Sequence, residues 1–244
     1  MFLRFGGCDY RCTKCDSLHA VLPELFSQTA PRLTQEEILE PTLERAGHCE
    51  WVTFSGGNPA MHELADLVDG LQAAGKRIAV ETQGTLMPDW LYHCDMVTVS
   101  PKGPGMGEQF EPQKFNAFVE RYNPIIEKHN PRSEADRWAR GDSWHDGFSV
   151  KVVIFDQRDI EFMVELMEQW PQIRHVMFAS IGNVDPPAPA KRQHDGQVTR
   201  AEFVEQTLAN YEMLAEEIWN DPRCASVRVL PQLHTLVWGN KQGV

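Results

Sequence analysis

The stretch FLRFGGCDYRCTKCDS, residues 2–17, runs from four strand-forming residues through a glycine pair into cysteines at positions 8, 12 and 15. An apolar, aromatic-rich segment that stops at Gly-Gly reads as a strand delivering its carboxyl end to a turn. The cysteines that follow stand among Gly, Asp, Arg and Lys, with little apolar surface to bury them. Thiols in such company are placed for chemistry rather than for packing. Cys8, Cys12 and Cys15 are one short of a closed zinc site, for which His19 could supply the fourth donor. They also suit an iron–sulfur cluster, usually held by four cysteines, with one iron left open to an exogenous molecule. Cys49, Cys94 and Cys224 stand apart from the loop and read as small buried apolar residues.

The same punctuation recurs along the chain. WVTFS (51–55), RIAVET (77–82), MVTVS (96–100), FSVKVVIF (148–155), HVMFAS (175–180) and VRVL (227–230) are further apolar, β-branched segments. Between them lie stretches of helical character. ELADLVDGLQAAG (63–75) closes on Gly75, a C-cap residue, and residues 158–170 and 199–219 are amphipathic. In TQEEILE (34–40) Thr34 and Glu37 have capping-box spacing, and Pro41 is expected to kink or end that helix. Strands alternating with helices predict an α/β fold with a parallel sheet, open or curled into a barrel. The first four strands are followed by CDYRCTKCDS, SGGNP (55–59), ETQGT (81–85) and SPKGPG (100–105). Ligands in parallel α/β folds bind at the carboxyl ends of strands, so these four loops predict one composite site. Residues 130–147 and 182–197 are polar and read as insertions into a single domain spanning 1–244.

Composition narrows the function classes. Lys and Arg total 23 against 35 Asp and Glu, a formal charge of −12, which argues against a protein that coats nucleic-acid phosphates. The longest apolar runs are strand-sized and too short to span a membrane. MFLRFGG carries no basic segment leading into an apolar one, so no secretory leader is expected. Half of the 6 cysteines crowd one loop, which favours metal or redox chemistry in a reducing cytoplasm over a disulfide framework.

C-x3-C-x2-C after a first strand resembles the radical S-adenosylmethionine (SAM) superfamily, whose cysteines hold a [4Fe–4S] cluster while SAM chelates the fourth iron. SGGNP is similar to the superfamily's Gly-Gly-Glu-Pro motif, with Asn58 in place of the usual Glu. Within the superfamily the chain resembles the 7-carboxy-7-deazaguanine synthases of queuosine and 7-deazapurine biosynthesis. RFGGC (4–8), CDS (15–17), FSGGNP (54–59), ETQGT (81–85), VSPK (99–102) and VRVLPQLHTLVWGN (227–240) carry that likeness. It implies a partial (β/α)6 TIM-type barrel of mostly parallel strands, a homodimer, and an electron donor such as flavodoxin. The implied reaction is Mg2+-assisted: 6-carboxy-5,6,7,8-tetrahydropterin loses ammonia to give 7-carboxy-7-deazaguanine, by one-electron cleavage of SAM and hydrogen abstraction at C6. Two other readings stay open on the residues: an activase of glycyl-radical enzymes, and a zinc-binding interaction module.

The resemblance assigns roles residue by residue. Cys8, Cys12 and Cys15 match the cluster ligands. Lys14, Cys15, Asp16, Gly57, Ser100, Pro101 and Lys102 match positions along SAM. Ser17 matches a Thr that places its hydroxyl on Mg2+, a hard ion suited to oxygen donors, although a serine there could also cap the loop. Arg4, Ser55, Glu81, Gln232 and His234 match substrate contacts, where a guanidinium fork suits a carboxylate or a pterin edge. The radical is borne by the cofactor, so no side chain is singled out as catalytic. Three departures accompany the match. The family's upstream strand and Gln-Gly-Glu-Gly loop fall before residue 1, so a truncated start is expected. ASIGN (179–183) stands in place of a Gln-Pro run, and GNKQGV (239–244) extends the tail.

Overall fold

The computed structural model describes residues 1–26, 31–128, 147–183 and 199–239. In chain order, β1 (Phe2–Phe5) precedes two one-turn helices, α1 (Leu18–Val21) and α2 (Pro23–Phe26). Next come α3 (Gln35–Ala46), β2 (Trp51–Gly56), α4 (Ala65–Ala73), β3 (Arg77–Thr82), β4 (Met96–Val99) and α5 (Pro112–Lys128). The second half holds β5 (Gly147–Ile154), α6 (Gln157–Gln169), β6 (Met177–Ile181), α7 (Arg200–Asn220), β7 (Arg228–Leu230) and α8 (Leu233–Trp238). The strands form a seven-stranded sheet ordered β1-β2-β3-β4-β5-β6-β7. Sheet order equals chain order, as repeated strand–crossover–strand units produce. The pairings of β1 with β2, β2 with β3, β3 with β4, β5 with β6 and β6 with β7 are parallel. The α/β class expected from the alternation of segments is the one observed. Of the two polar insertions, residues 130–146 and 184–197 lie outside the described residues, as does the tail from 240 onward.

The chain divides into two compact units. The first comprises Met1–Asp9, Ala20–Ser100 and Glu111–Ser149; the second comprises Tyr10–His19, Pro101–Phe110 and Val150–Val244. In the first, Val52, Phe54, Ile78, Val80, Val97 and Val99 alternate along β2 to β4 and are fully buried or nearly so, with Leu67 and Leu71 of α4. Phe118, Tyr122 and Ile126 of α5 complete this core, and Tyr122 donates its hydroxyl proton to Leu91 O at 3.0 Å. In the second, Val150, Val152, Met177 and Ala179 are buried, as are Met163, Leu166 and Met167 of α6. Side chains of that size, removed from water, each stabilise the fold by about 1.5–3 kcal/mol.

One expectation is narrowed and another corrected. Helix α3 does not end at Pro41; it begins with the Thr34–Glu37 capping box and runs through the proline to Ala46. A β-carbon on Gly70 would lie only 2.7 Å from Leu39 Cδ2, so α3 seats against α4 here, and that packing outweighs the missing N–H. Cys49 is exposed rather than buried, because it follows the helix end in the turn before β2. Among the described residues no helix is long and apolar enough to cross a membrane.

Candidate active site

In the first unit the site is built on glycine backbone. Gly57 N donates to Phe5 O at 3.0 Å and Asn58 N to Gly7 O at 2.8 Å, so SGGNP lies directly on the stem of the cysteine loop. A β-carbon on Gly57 would fall 1.8 Å from Gly7 O, which leaves glycine as the residue this approach admits. Gly7 itself has φ 99° and donates to Ala20 O at 2.7 Å. The stem that presents Cys8 is thereby fixed from both sides.

Above the stem lies a network of amides and hydroxyls. Asn58 is 0 % exposed; its amide donates to Asp9 Oδ1 at 2.9 Å and Thr85 Oγ1 at 3.3 Å, and its carbonyl accepts from Thr82 Oγ1 at 2.9 Å and Ala60 N at 3.2 Å. Every polar atom of a buried amide is thus satisfied. Gln83 donates to Cys8 Sγ at 3.4 Å and to the same Asp9 oxygen. Where the superfamily motif has Glu, this chain needs a donor toward Asp9, and Asn58 supplies it. On the neighbouring strands Arg4 of β1 stands in register with Ser55 of β2, and Glu81 of β3 with Thr98 of β4. Ser100 N donates to Thr82 O at 2.7 Å.

The second unit holds the rest of the cysteine loop against the loop after β4. Thr13 N donates to Met106 O at 2.9 Å, Tyr10 hydroxyl to Gln109 O at 3.2 Å, and Arg11 N to the Glu108 carboxylate. Asp159 of α6 in turn anchors that loop. Its carboxylate is 0 % exposed and accepts from Gly105 N at 2.7 Å, Phe155 N at 2.9 Å and Asp156 N at 3.4 Å. Asp159 sits in a capping box with Asp156, which is all the sequence pattern would have suggested for it.

Charged groups gather in this unit. Burial pushes the Lys102 ammonium pKa down, while Cys12, Asp16 and Cys15 raise it and the neighbouring Lys151 charge lowers it further. Burial also opposes ionisation of Asp16, yet the His234 imidazole, the Ser17 hydroxyl and the Lys102 charge hold its pKa down at about 2. Ser17 Oγ donates to Asp16 Oδ1 at 2.9 Å, and His234 Nε2 lies 3.8 Å from Asp16 Oδ2. Gln232 Oε1 is buried without a hydrogen-bond partner, an acceptor that needs a donor from elsewhere. Lys14 does not join Asp16; its ammonium lies 4.3 Å from the centre of the Phe155 ring. Cys12, Cys15, Asp16, Ser17, Lys102 and His234 are therefore brought into one electrostatic neighbourhood. Asp9, Gln83, Lys151 and Asp159 were not singled out from the sequence, although Asp9 and Gln83 lie within quoted loops and Lys151 within a quoted strand.

None of the cysteines forms a disulfide. Burial and then the Asp95 charge push the Cys94 thiol up to about 12; Cys224, raised to about 11, is buried as expected. Both are inert thiols at neutral pH. Among the described residues no three His, Cys, Asp or Glu side chains converge as a lone bound ion requires. Thiols are the donors an iron–sulfur group takes: in the first unit Cys8 accepts an amide N–H, and in the second Cys12 and Cys15 lie near Lys102.

No protein-family model matches the chain. A 7-carboxy-7-deazaguanine synthase of Bacillus cereus is 33% identical over 248 residues, covering 100% of this chain and 90% of that protein. One from Bacillus subtilis is 34% identical over 250 residues, covering 100% of this chain and 89% of that protein. The crystal structure of QueE from Escherichia coli matches with a TM-score of 0.52 at 22% identity, covering 95% of this chain and 84% of that one, a likeness of fold. Parallel α/β architecture and a three-thiol loop after β1 define a radical SAM enzyme. The chain belongs to the 7-carboxy-7-deazaguanine synthase family, radical SAM lyases of the queuosine pathway.

Proposed function

We propose that this chain is a single-domain, cytoplasmic lyase that converts 6-carboxy-5,6,7,8-tetrahydropterin to 7-carboxy-7-deazaguanine with loss of ammonia. Kinship over its whole length to proteins named for that product carries the reading. Cys8, Cys12 and Cys15 would hold a [4Fe–4S] cluster. When bound, cluster and SAM together supply the electron and the hydrogen-abstracting group. The chain's own residues position and screen. Lys102 offsets negative charge beside Cys12 and Cys15, and Gly57, Ser100 and Pro101 bring backbone to SAM, with Lys14, Cys15 and Asp16 along it. Arg4 and Ser55, paired across β1 and β2, offer a guanidinium and a hydroxyl to the pterin carboxylate, and Glu81 accepts from its donor edge. Gln232 Oε1, buried and unsatisfied, is an acceptor that substrate N–H groups complete, with His234 beside it in the chain.

Ser17 would place its hydroxyl on Mg2+. Its proton already goes to Asp16, which leaves the oxygen lone pairs for a hard cation. The homodimer and an electron donor such as flavodoxin rest on the family likeness. The test is anaerobic incubation of reconstituted protein with SAM, dithionite and 6-carboxytetrahydropterin, with products read by mass. 7-Carboxy-7-deazaguanine and ammonia are expected, without stoichiometric loss of SAM, because removing ammonia from the tetrahydropterin is redox-neutral. SAM cleavage that leaves the pterin intact would mean another substrate.

A further inference from the structure

We propose that Gln83 is a positioning and tuning residue for the cluster: one amide N–H donates to Cys8 Sγ, while the other helps Asn58 hold the Asp9 carboxylate. The inference rests on the cluster reading above and concerns only residues of the first unit. Gln83 Nε2 lies 3.4 Å from Cys8 Sγ, a normal N–H···S separation, and the side chain is only 8 % exposed. The same nitrogen reaches Asp9 Oδ1, which also accepts from Asn58 at 2.9 Å. Asp9 directly follows Cys8, so two amides fix the residue next to the thiol while one of them addresses the sulfur itself.

An N–H donated to a ligand sulfur draws electron density from the iron and favours the reduced, more negative state. Cys12 and Cys15 have an ammonium for this purpose in Lys102. For Cys8 the amide of Gln83 plays that part with a dipole instead of a charge. Only the difference in strength of this bond between the reduced and oxidised states shifts the potential, and a roughly tenfold change in the reduction equilibrium is expected from it. Gln83→Met keeps the length of the side chain and removes both N–H groups.

Reconstituted Gln83→Met should retain iron, sulfide and SAM binding while its cluster becomes about tenfold harder to reduce, a fall of about 59 mV for one electron. Full iron content with an unchanged midpoint potential overturns the proposal. A second measurement uses the wild-type chain and does not depend on how the variant folds. With glutamine side-chain amides labelled by 15N and no SAM present, pulsed electron paramagnetic resonance of the reduced cluster should detect a weak 15N coupling. Its absence also overturns the proposal. A wild-type chain that takes up no iron or sulfide would remove the cluster reading and this inference together, whereas a loaded cluster indifferent to Gln83 removes this inference alone.

Discussion

In the first unit the loops after the strands are held by amides and hydroxyls around one carboxylate, Asp9; in the second they are held by backbone bonds and the Asp159 carboxylate, and the charge-bearing side chains Lys102 and Asp16 are buried near Cys12 and Cys15. Neutral donors fix position at little electrostatic cost, because a satisfied amide can be buried without a counter-charge. Buried ions set potential, and they must be balanced by partners or by a bound group of opposite sign. One unit therefore fixes the stem that presents the first cysteine, and the other supplies the field around the remaining two. A single loop with three equivalent thiols in sequence thus has inequivalent ends in the structure.

The predictions challenge that division, beginning with the largest effect. Cys8→Ala, Cys12→Ala or Cys15→Ala should each abolish bound iron and SAM cleavage, whereas replacing Cys49, Cys94 or Cys224 should leave iron content unchanged. Iron that depended on one of the latter three would break the comparison outright. Gly57→Ala forces a β-carbon to 1.8 Å from Gly7 O, where only backbone could give way. It should destabilise the chain by about 3 kcal/mol, a melting-temperature drop of about 6–12 °C by calorimetry. A smaller drop would mean that the stem is less rigid than its hydrogen bonds indicate.

Asp159→Asn leaves one carbonyl oxygen for three backbone N–H groups, at a cost of about 1.5–3 kcal/mol in denaturant unfolding. Stability within 0–0.5 kcal/mol of wild type, roughly the span of a surface substitution, would show that the second unit's loop stands without its anchor. Ser17→Ala should raise the Mg2+ concentration for half-maximal activity about tenfold, near one lost contact of 1.4 kcal/mol, with SAM affinity unchanged. Equal Mg2+ dependence in both proteins would remove Ser17 from that role. The smallest effect is on alkaline stability. The Cys94 thiol is raised to about 12 in the folded chain, first by burial and then by Asp95. A folded pKa above the unfolded value of about 8.5 contributes stability that is full below that pH and declines toward 12. Melting curves of wild type and Cys94→Ala should therefore converge as pH rises from 9 to 11; parallel curves would count against the burial assigned to this thiol.

The strands were legible because their alternation is local: RIAVET gives β3 its residue bounds, and Val80 and Ile78 are buried where the pattern puts them. The Thr34 capping box was legible for the same reason, since Thr34 bonds a residue three positions on; the box that Thr199 forms was not singled out, although it is equally local. Helix α5 was not legible, because Pro124 interrupts its pattern and its buried face meets partners distant in sequence, Tyr122 stacking on the Phe148 ring and bonding Leu91 O. In the site, residue types at loop positions could be read, but not what they touch. Gln83 reaches a sulfur 75 positions away, and Asp159 a backbone amide 54 positions away. An ordinary helix-capping Asp and a motif Gln carry no local mark of such partners. The signal that could have found Asp159 is the Gly-Pro-Gly run at 103–105: β-carbons on Gly103 and Gly105 would fall 2.5 Å and 2.2 Å from its carboxylate oxygens.

The abutment of Gly57 on Gly7 also bears on the order of assembly. The bonds that fix this stem, Asn58 N to Gly7 O and Gly7 N to Ala20 O, are made by backbone alone and need no metal. A stem bonded in this way is expected to be ordered in the iron-free chain, so that ordering it would add nothing to the cost of loading a cluster. Hydrogen exchange at the Asn58 amide should already be slow in the iron-free chain. Fast exchange there would show instead that the stem is ordered only together with the group it presents Cys8 to.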